Sequence, residues 1–270
     1  FRLQRGPQLT TEFLGFLVSD SIRPDHPLRD ARLRRAIGHA IDRQALCRYL
    51  LRGLATPARA GIIPNGLPSY DPQAVAGFRD DPARARELLA EAGYPNGRGL
   101  PPLTYASTPR YRPITTFLQQ QLGRVGIRVD VAEYEGATLR AMAEQGELDF
   151  WRASWIADYA DGENFLSLFY GPNRAPDGYN RFRYDRPAYN ALYERARRTT
   201  APAQRRDLYQ QMERMLLRDA PAVPLFYYRT LRLLQPKVQG LPMTANVLQL
   251  DLRRVHFAKP SAAGGNDALE

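Results

Sequence analysis

Residues 152–166 read RASWIADYADGENFL, an apolar and aromatic run that closes on two acids, Asp158 and Asp161, with Tyr159 between them. Two carboxylates so placed have several chemical uses. They can serve as the acid and base of a hydrolase or as oxygen ligands for calcium, although the alternating acidic ligands of an EF-hand are absent. They can also divide the labour. Asp161 precedes GENFLSLFY and is expected to cap that helix. Asp158 stands one step after a strand, flanked by Trp155 and Tyr159. Depriving a buried carboxylate of its partner costs about 3–5 kcal/mol, so Asp158 must either stay hydrated or meet a cation.

No other catalytic signature accompanies the pair. GxGxxG, GxxxxGK[ST], HExxH and GxSxG are all missing. His26, His39 and His256 are far apart, and none sits at metal-ligand spacing from a Cys or carboxylate. Cys47 is the single cysteine, so no internal disulfide exists, and its helical context suggests a small buried hydrophobe. No cofactor and no metal are expected, and the chain is not expected to be an enzyme.

The 270 residues are 44% hydrophobic and 24% charged, the composition of a globular protein. The formal net charge is +10, and only Lys237 and Lys259 are lysines, so 38 − 2 leaves 36 arginines. These are scattered rather than gathered in a basic block, and no helix-turn-helix, zinc-finger or RNP pattern joins them, so no nucleic-acid partner is expected. No run of about 18 apolar residues exists to span a membrane as a helix. The chain opens without Met on FRLQRGPQLTTEFLGFL, a strand-like pattern, so a fragment or processed form is expected.

The elements that must position Asp158 alternate between strand and helix. Residues 10–20 read as a strand. A helix capped by Asp30 follows, with Leu33, Ile37, Ala40 and Ile41 on one face; a second segment with Leu46, Leu50 and Leu51 closes at Gly53. A Gly/Pro-rich loop leads to a short helix capped by Asp81 with Pro82 in its first turn. Beyond it come strand 103–107, helix 113–126, strand 127–135, helix 136–146 and strand 147–155. Two later helices, 186–198 and 202–219, precede a strongly β segment, 220–234. A short strand is expected within 247–257 and a disordered tail over 258–270. This alternation indicates an α/β fold with a mixed sheet flanked by helices, in which ligands sit beyond the carboxyl ends of strands.

Several segments, in this order, carry a resemblance: DARLRRAIGHAIDRQAL, DDPARARELLAEAGYPNGRGLPPLTY, FLQQQLGRVGIRVDV, ASWIADYADGENFL and PAVPLFYYRTLRLLQPKVQG. The chain resembles the C-terminal half of the family 5 solute-binding proteins of ABC importers, the oligopeptide- and dipeptide-binding type, from about Thr10 to Phe257. That implies one lobe of a periplasmic-binding-protein type II-like fold whose N-terminal lobe is largely missing here. Residues 1–9 would be a hinge-crossing strand and 10–226 the second, ligand-binding lobe. Residues 227–257 would hold the return strand and a segment completing the first lobe. It implies a peptide ligand, delivery to ABC permease subunits, a monomer, and a periplasmic location with a signal peptide upstream. Asp158 matches the aspartate that pairs with a peptide's α-amino group. Trp155, Ala157 and Tyr159 would supply wall and backbone contacts. Arg152 matches an arginine that helps receive the peptide's carboxylate end; otherwise it is a strand-edge arginine. Tyr227 and Tyr228 match hinge positions near the ligand, with ordinary strand packing the alternative for at least one. Leu17 replaces an Asn common among relatives. Relatives also carry glutathione, nickel complexes, sugars or opines. The opposing class remains a hydrolase using Asp158 and Asp161.

Overall fold

The computed structural model describes residues 1–19, 22–243 and 251–258. A six-stranded sheet organises them. In chain order its strands are β1 (Arg2–Phe16), β2 (Ala55–Pro57), β3 (Leu103–Ser107), β4 (Val129–Glu133), β5 (Phe150–Ile156) and β6 (Ala222–Leu234). Across the sheet the order is β2-β6-β1-β5-β3-β4. β1 runs antiparallel to both β5 and β6, whereas β3 is parallel to β4 and β5, so the sheet is mixed, as the alternation of elements implies. β7 (Val238–Gln239) and β8 (His256–Phe257) form a separate antiparallel pair. Of the strand expected within 247–257 only β8 is seen; residues 244–250, and the tail from 259, lie outside the described residues.

The helices are α1 (Ala31–His39), α2 (Arg43–Ala45), α3 (Pro82–Glu91), α4 (Arg112–Gly123), α5 (Gly136–Gln145), α6 (Glu163–Leu166), α7 (Pro187–Arg198) and α8 (Pro202–Asp219). Their starts follow the expected capping chemistry. The Asp30 carboxylate accepts the Arg32 N–H at 2.7 Å, and that of Asp81 accepts the Arg84 N–H at 2.9 Å with Pro82 at the first turn. The segment after α2 is a π-helical turn, Leu46–Leu50, rather than a regular helix. Cys47 is buried there, and burial pushes its thiol up to about 12, which suits an inert packing residue.

β1 is central because it tolerates burial on both faces, and β5 beside it is buried on both faces at its start, Phe150 and Trp151. Every residue from Leu9 to Leu17 is buried, a continuous run of the kind expected of an interior strand. The rings of Phe16 and Phe150 stack at 4.9 Å on one face, and Trp151 stacks on Phe182 at 5.7 Å on the other. Burying side chains of this size stabilises by roughly 1.5–3 kcal/mol each.

A buried loop braces the second face near the end of β5. Residues 61–63 are covered by α8 and β6, and buried backbone groups need partners. Side chains supply them. The Tyr227 hydroxyl donates to the Gly61 carbonyl at 2.8 Å, Thr11 Oγ1 donates to the Ile62 carbonyl at 2.8 Å, and the Ile63 N–H donates to Glu213 Oε1 at 2.9 Å. Gly61 has no room for a side chain, since a Cβ would fall 2.3 Å from Glu213 Oε1.

Candidate functional site

The last rung of β5 is the bond from the Ala157 N–H to the Leu9 carbonyl, 2.9 Å. Beyond it the chain turns out of the sheet. Asp158 and Tyr159 are exposed, and Gly162 packs back onto the braced loop, where a Cβ would stand 2.7 Å from Ser69 Oγ and 2.9 Å from Ile63 Cδ1. The acids therefore occupy a fixed bend at the carboxyl end of β5.

Asn164, in the first turn of α6 and only 4% exposed, holds this bend. Its Oδ1 accepts from Trp155 Nε1–H at 2.8 Å and from the Asp158 N–H at 3.1 Å, while its Nδ2 donates to Asp158 Oδ2 at 3.2 Å. One buried amide thus fixes both the indole and the carboxylate. Among the described residues no arginine or lysine pairs with Asp158. Around it stand Trp155, packed edge-on to Tyr179 at 5.3 Å, with Ile156, Tyr159 and Tyr179 half-exposed.

Asp161 was expected to cap α6; the N-cap is Gly162, and Asp161, one residue earlier, still serves the helix start. Its Oδ1 accepts the Glu163 N–H at 2.9 Å at the start of α6 and also the Tyr209 hydroxyl at 2.8 Å; its Oδ2 pairs with Arg205 at 2.7 Å. With both oxygens engaged, Asp161 is not poised as the acid or base of a carboxylate pair. Tyr159 and Tyr193 both donate to Glu163, and with Tyr170 they line a cavity of about 370 Å³ beside the bend. A larger cavity, about 510 Å³, lies at the opposite end of the sheet, between Val18, Arg34, Tyr184 and Asp219. Among the described residues no group of three or more His, Cys, Asp or Glu side chains is placed to hold a metal ion.

The remaining expected site residues divide. Arg152 lies level with the carboxyl end of β3, because Ala106 registers with Trp151 and β3 stops at Ser107. Its Nε and Nη2 grip Glu12 at 2.5 and 2.9 Å, and Nη2 also donates to Tyr111 Oη at 2.6 Å and Ser154 Oγ at 3.2 Å. The Tyr111 ring covers one guanidinium face, 3.8 Å from its centroid. Glu12 is fully buried, and burial raises its carboxyl from an ordinary 4.5 to about 7 even though Arg152 opposes the rise. Burial opposes the Arg152 charge, but the Glu12 carboxylate more than offsets this and holds the guanidinium above its ordinary range. Tyr228 belongs to the same cluster, its hydroxyl 3.0 Å from that of Tyr111.

Two of the expected residues lie inside the lobe. Tyr227 points to the other face of the sheet from Tyr228, is completely buried, and donates its hydroxyl to Gly61, so it braces the loop, the packing role that was the alternative for one of the two tyrosines. Ala157 is also completely buried and its N–H donates to Leu9. Sequence reasoning missed Asn164, Glu12, Tyr111 and Tyr179. A signal existed for two of them: Glu12 is an acid inside an apolar strand, and Asn164 is a polar residue within an apolar helical start.

Comparison with known proteins identifies the family of the chain. Residues 2–177 match the family described as bacterial extracellular solute-binding proteins, family 5 Middle, and the chain belongs to that family. It is 29% identical over 218 residues to heme-binding protein A of Haemophilus influenzae, covering 79% of this chain and 39% of that protein. It is 30% identical over 236 residues to the glutathione-binding protein GsiB of Escherichia coli K12, covering 83% and 43%. Among solved structures it is similar to the periplasmic murein tripeptide binding protein MppA in an unliganded open form, with a TM-score of 0.80, 25% identity, and 96% and 50% of the two chains covered. It is also similar to DppA of Helicobacter pylori in complex with the peptide STSA, with a TM-score of 0.77, 25% identity, and 96% and 49% covered. The chain spans half or less of the length of these relatives.

Proposed function

We propose that this chain is the second lobe of the periplasmic substrate-binding component of an ABC importer, that it captures peptides by their α-ammonium on Asp158, and that the whole protein delivers them to membrane permease subunits. One observation carries the reading: Asp158 is an exposed carboxylate at the carboxyl end of a central strand, oriented by a buried amide and without a cationic partner among the described residues. Every unmodified peptide carries an ammonium, and a carboxylate in a cleft receives it through a charge-assisted hydrogen bond whatever the side chains are. Trp155, Tyr159 and Tyr179 provide aromatic wall around it. The neighbours whose titles name a murein tripeptide and the peptide STSA support a peptide ligand. Glutathione, named for the GsiB relatives, also bears a free amine and suits the same carboxylate. In this reading residues 1–9 and 227–257 connect to the other lobe, and ligand binding closes the two lobes about that hinge.

The test is calorimetry on the full-length protein with a peptide and its N-acetylated form. Asp158→Asn is expected to weaken binding of the free-amine peptide about 10- to 100-fold, the worth of one hydrogen bond to a charged group, and to leave the acetylated peptide unaffected. Equal affinity in parent and variant, or cleavage of the peptide by the parent, would sink the proposal.

A further inference from the structure

The carboxyl ends of β3 and β5 present one acid and one base of unequal availability. Asp158 is held by an amide and carries its charge uncompensated among the described residues, whereas Arg152 has its charge met from below. Glu12 occupies the Nε and Nη2 edge of the guanidinium in a two-point grip, Tyr111 Oη and Ser154 Oγ share Nη2, and the Tyr111 ring covers one face. Only Nη1 has no partner among the described residues, and 17% of the side chain remains exposed. A fork that binds carboxylates bidentately therefore has one nitrogen to offer, on a pair whose net charge is zero whenever the Glu12 carboxyl is ionised. A carboxylate arriving there would also meet the field of Glu12 through a part-buried, low-dielectric region.

We propose that Glu12 is a specificity-determining residue: by engaging Arg152 from within the sheet it makes this lobe read a ligand's amine but not its carboxylate. The ligand class is then amine-bearing peptides whose acid end is free, blocked or remote without consequence for this lobe. The inference rests on the peptide reading of Asp158 and deepens it. Arg152 remains structural, pinning Tyr111 and through it Tyr228, and Glu12 is what withholds it from the ligand.

The experiment compares trialanine as free acid and as C-terminal amide, by calorimetry on the full-length protein at about pH 7.5, where much of the α-amino group is still charged. In the parent protein the two forms are expected to bind within about threefold of each other. Glu12→Gln, which removes the charge and keeps the shape, is expected to create a preference for the free acid of about tenfold or more, the scale of one charge-assisted hydrogen bond. A tenfold preference for the acid in the parent overturns the inference, as does a variant that still fails to distinguish the two. A separate arm does not depend on peptide binding. The nitrogen resonances of the Arg152 guanidinium are followed during titration with acetate. They should shift in Glu12→Gln and stay fixed in the parent at the same concentrations; a shift in the parent overturns the inference even if trialanine does not bind. Failure of trialanine to bind either protein counts against the Asp158 reading, while the acetate titration still decides the role of Glu12.

Discussion

Glu213 offers a quantitative test of how the site is braced. It lies on α8, only 1% exposed, with its carboxyl against Gly61 and accepting the Ile63 N–H. No cation pairs with it among the described residues. Burial pushes its carboxyl from an ordinary 4.5 up to about 8; the Ile63 and Ile62 N–H groups and Arg214 only partly oppose this. Between those values the folded protein keeps a proton that the unfolded chain has already lost. Stability is therefore greatest below about pH 4.5 as far as this group is concerned, falls as pH rises through the window, and levels off above about pH 8. The difference 8 − 4.5 = 3.5, at about 1.36 kcal/mol per unit, sets an upper limit of about 5 kcal/mol. Glu213→Gln keeps the acceptor for Ile63 and removes the titration. Urea midpoints for parent and variant across about pH 4.5 to 9 should converge at the acid end and separate as pH rises, the variant becoming the more stable by a few kcal/mol. Parallel profiles over that range would refute the account of a neutral, loop-bracing carboxyl.

Asn164→Leu removes three hydrogen bonds and strands the Trp155 indole N–H, so urea unfolding should show a loss of about 2–4 kcal/mol. Calorimetry should show a larger affinity loss for a free-amine peptide than for its N-acetylated form, because the carboxylate of Asp158 is no longer aimed. Arg34→Met leaves unpaired the four carbonyls, of Leu28, Arg29, Asp219 and Ala220, that the buried guanidinium satisfies at 2.5–2.9 Å. It should cost about 3–5 kcal/mol in urea unfolding without altering peptide affinity, since Arg34 lies toward the opposite end of the sheet from Asp158.

Much of the architecture was legible because it follows from local chemistry. Asp30 and Asp81 cap the helices they precede, and the alternation of strand and helix indicated a mixed α/β sheet. The position of Asp158 beyond a strand end was legible for the same reason. What was not legible depends on which strands become neighbours. Glu12 and Arg152 are 140 residues apart, and only the antiparallel register of β1 on β5, which sets Glu12 opposite Ser154 and Leu14 opposite Arg152, joins them. The two adjacent tyrosines of β6 looked equivalent as letters, yet the pleat sends Tyr227 into the loop and Tyr228 toward Tyr111. Asn164 was passed over because its importance lies in burial beneath Asp158, which no periodicity announces.

Three carboxylates near the carboxyl end of β5 meet three fates, and the arginine-rich composition makes the contrast informative. Glu12, inside the sheet, takes Arg152; Asp161, at the helix start, takes Arg205 and Tyr209. Even exposed acids elsewhere attract guanidinium groups, as Asp30 does Arg32 and Glu133 does Arg112. With 36 arginines in 270 residues, a partner for an acid is easily found wherever pairing is of use. An acid left alone by chance would hang loosely in solvent. Asp158 instead has its own N–H and one carboxylate oxygen fastened to a buried amide, and that amide is in turn fixed to the neighbouring indole. Holding an uncompensated charge so firmly costs conformational freedom in the unbound protein. On the proposed reading an incoming ammonium would meet a carboxylate that need not be ordered on binding, and that pre-organisation is the gain a binding site requires.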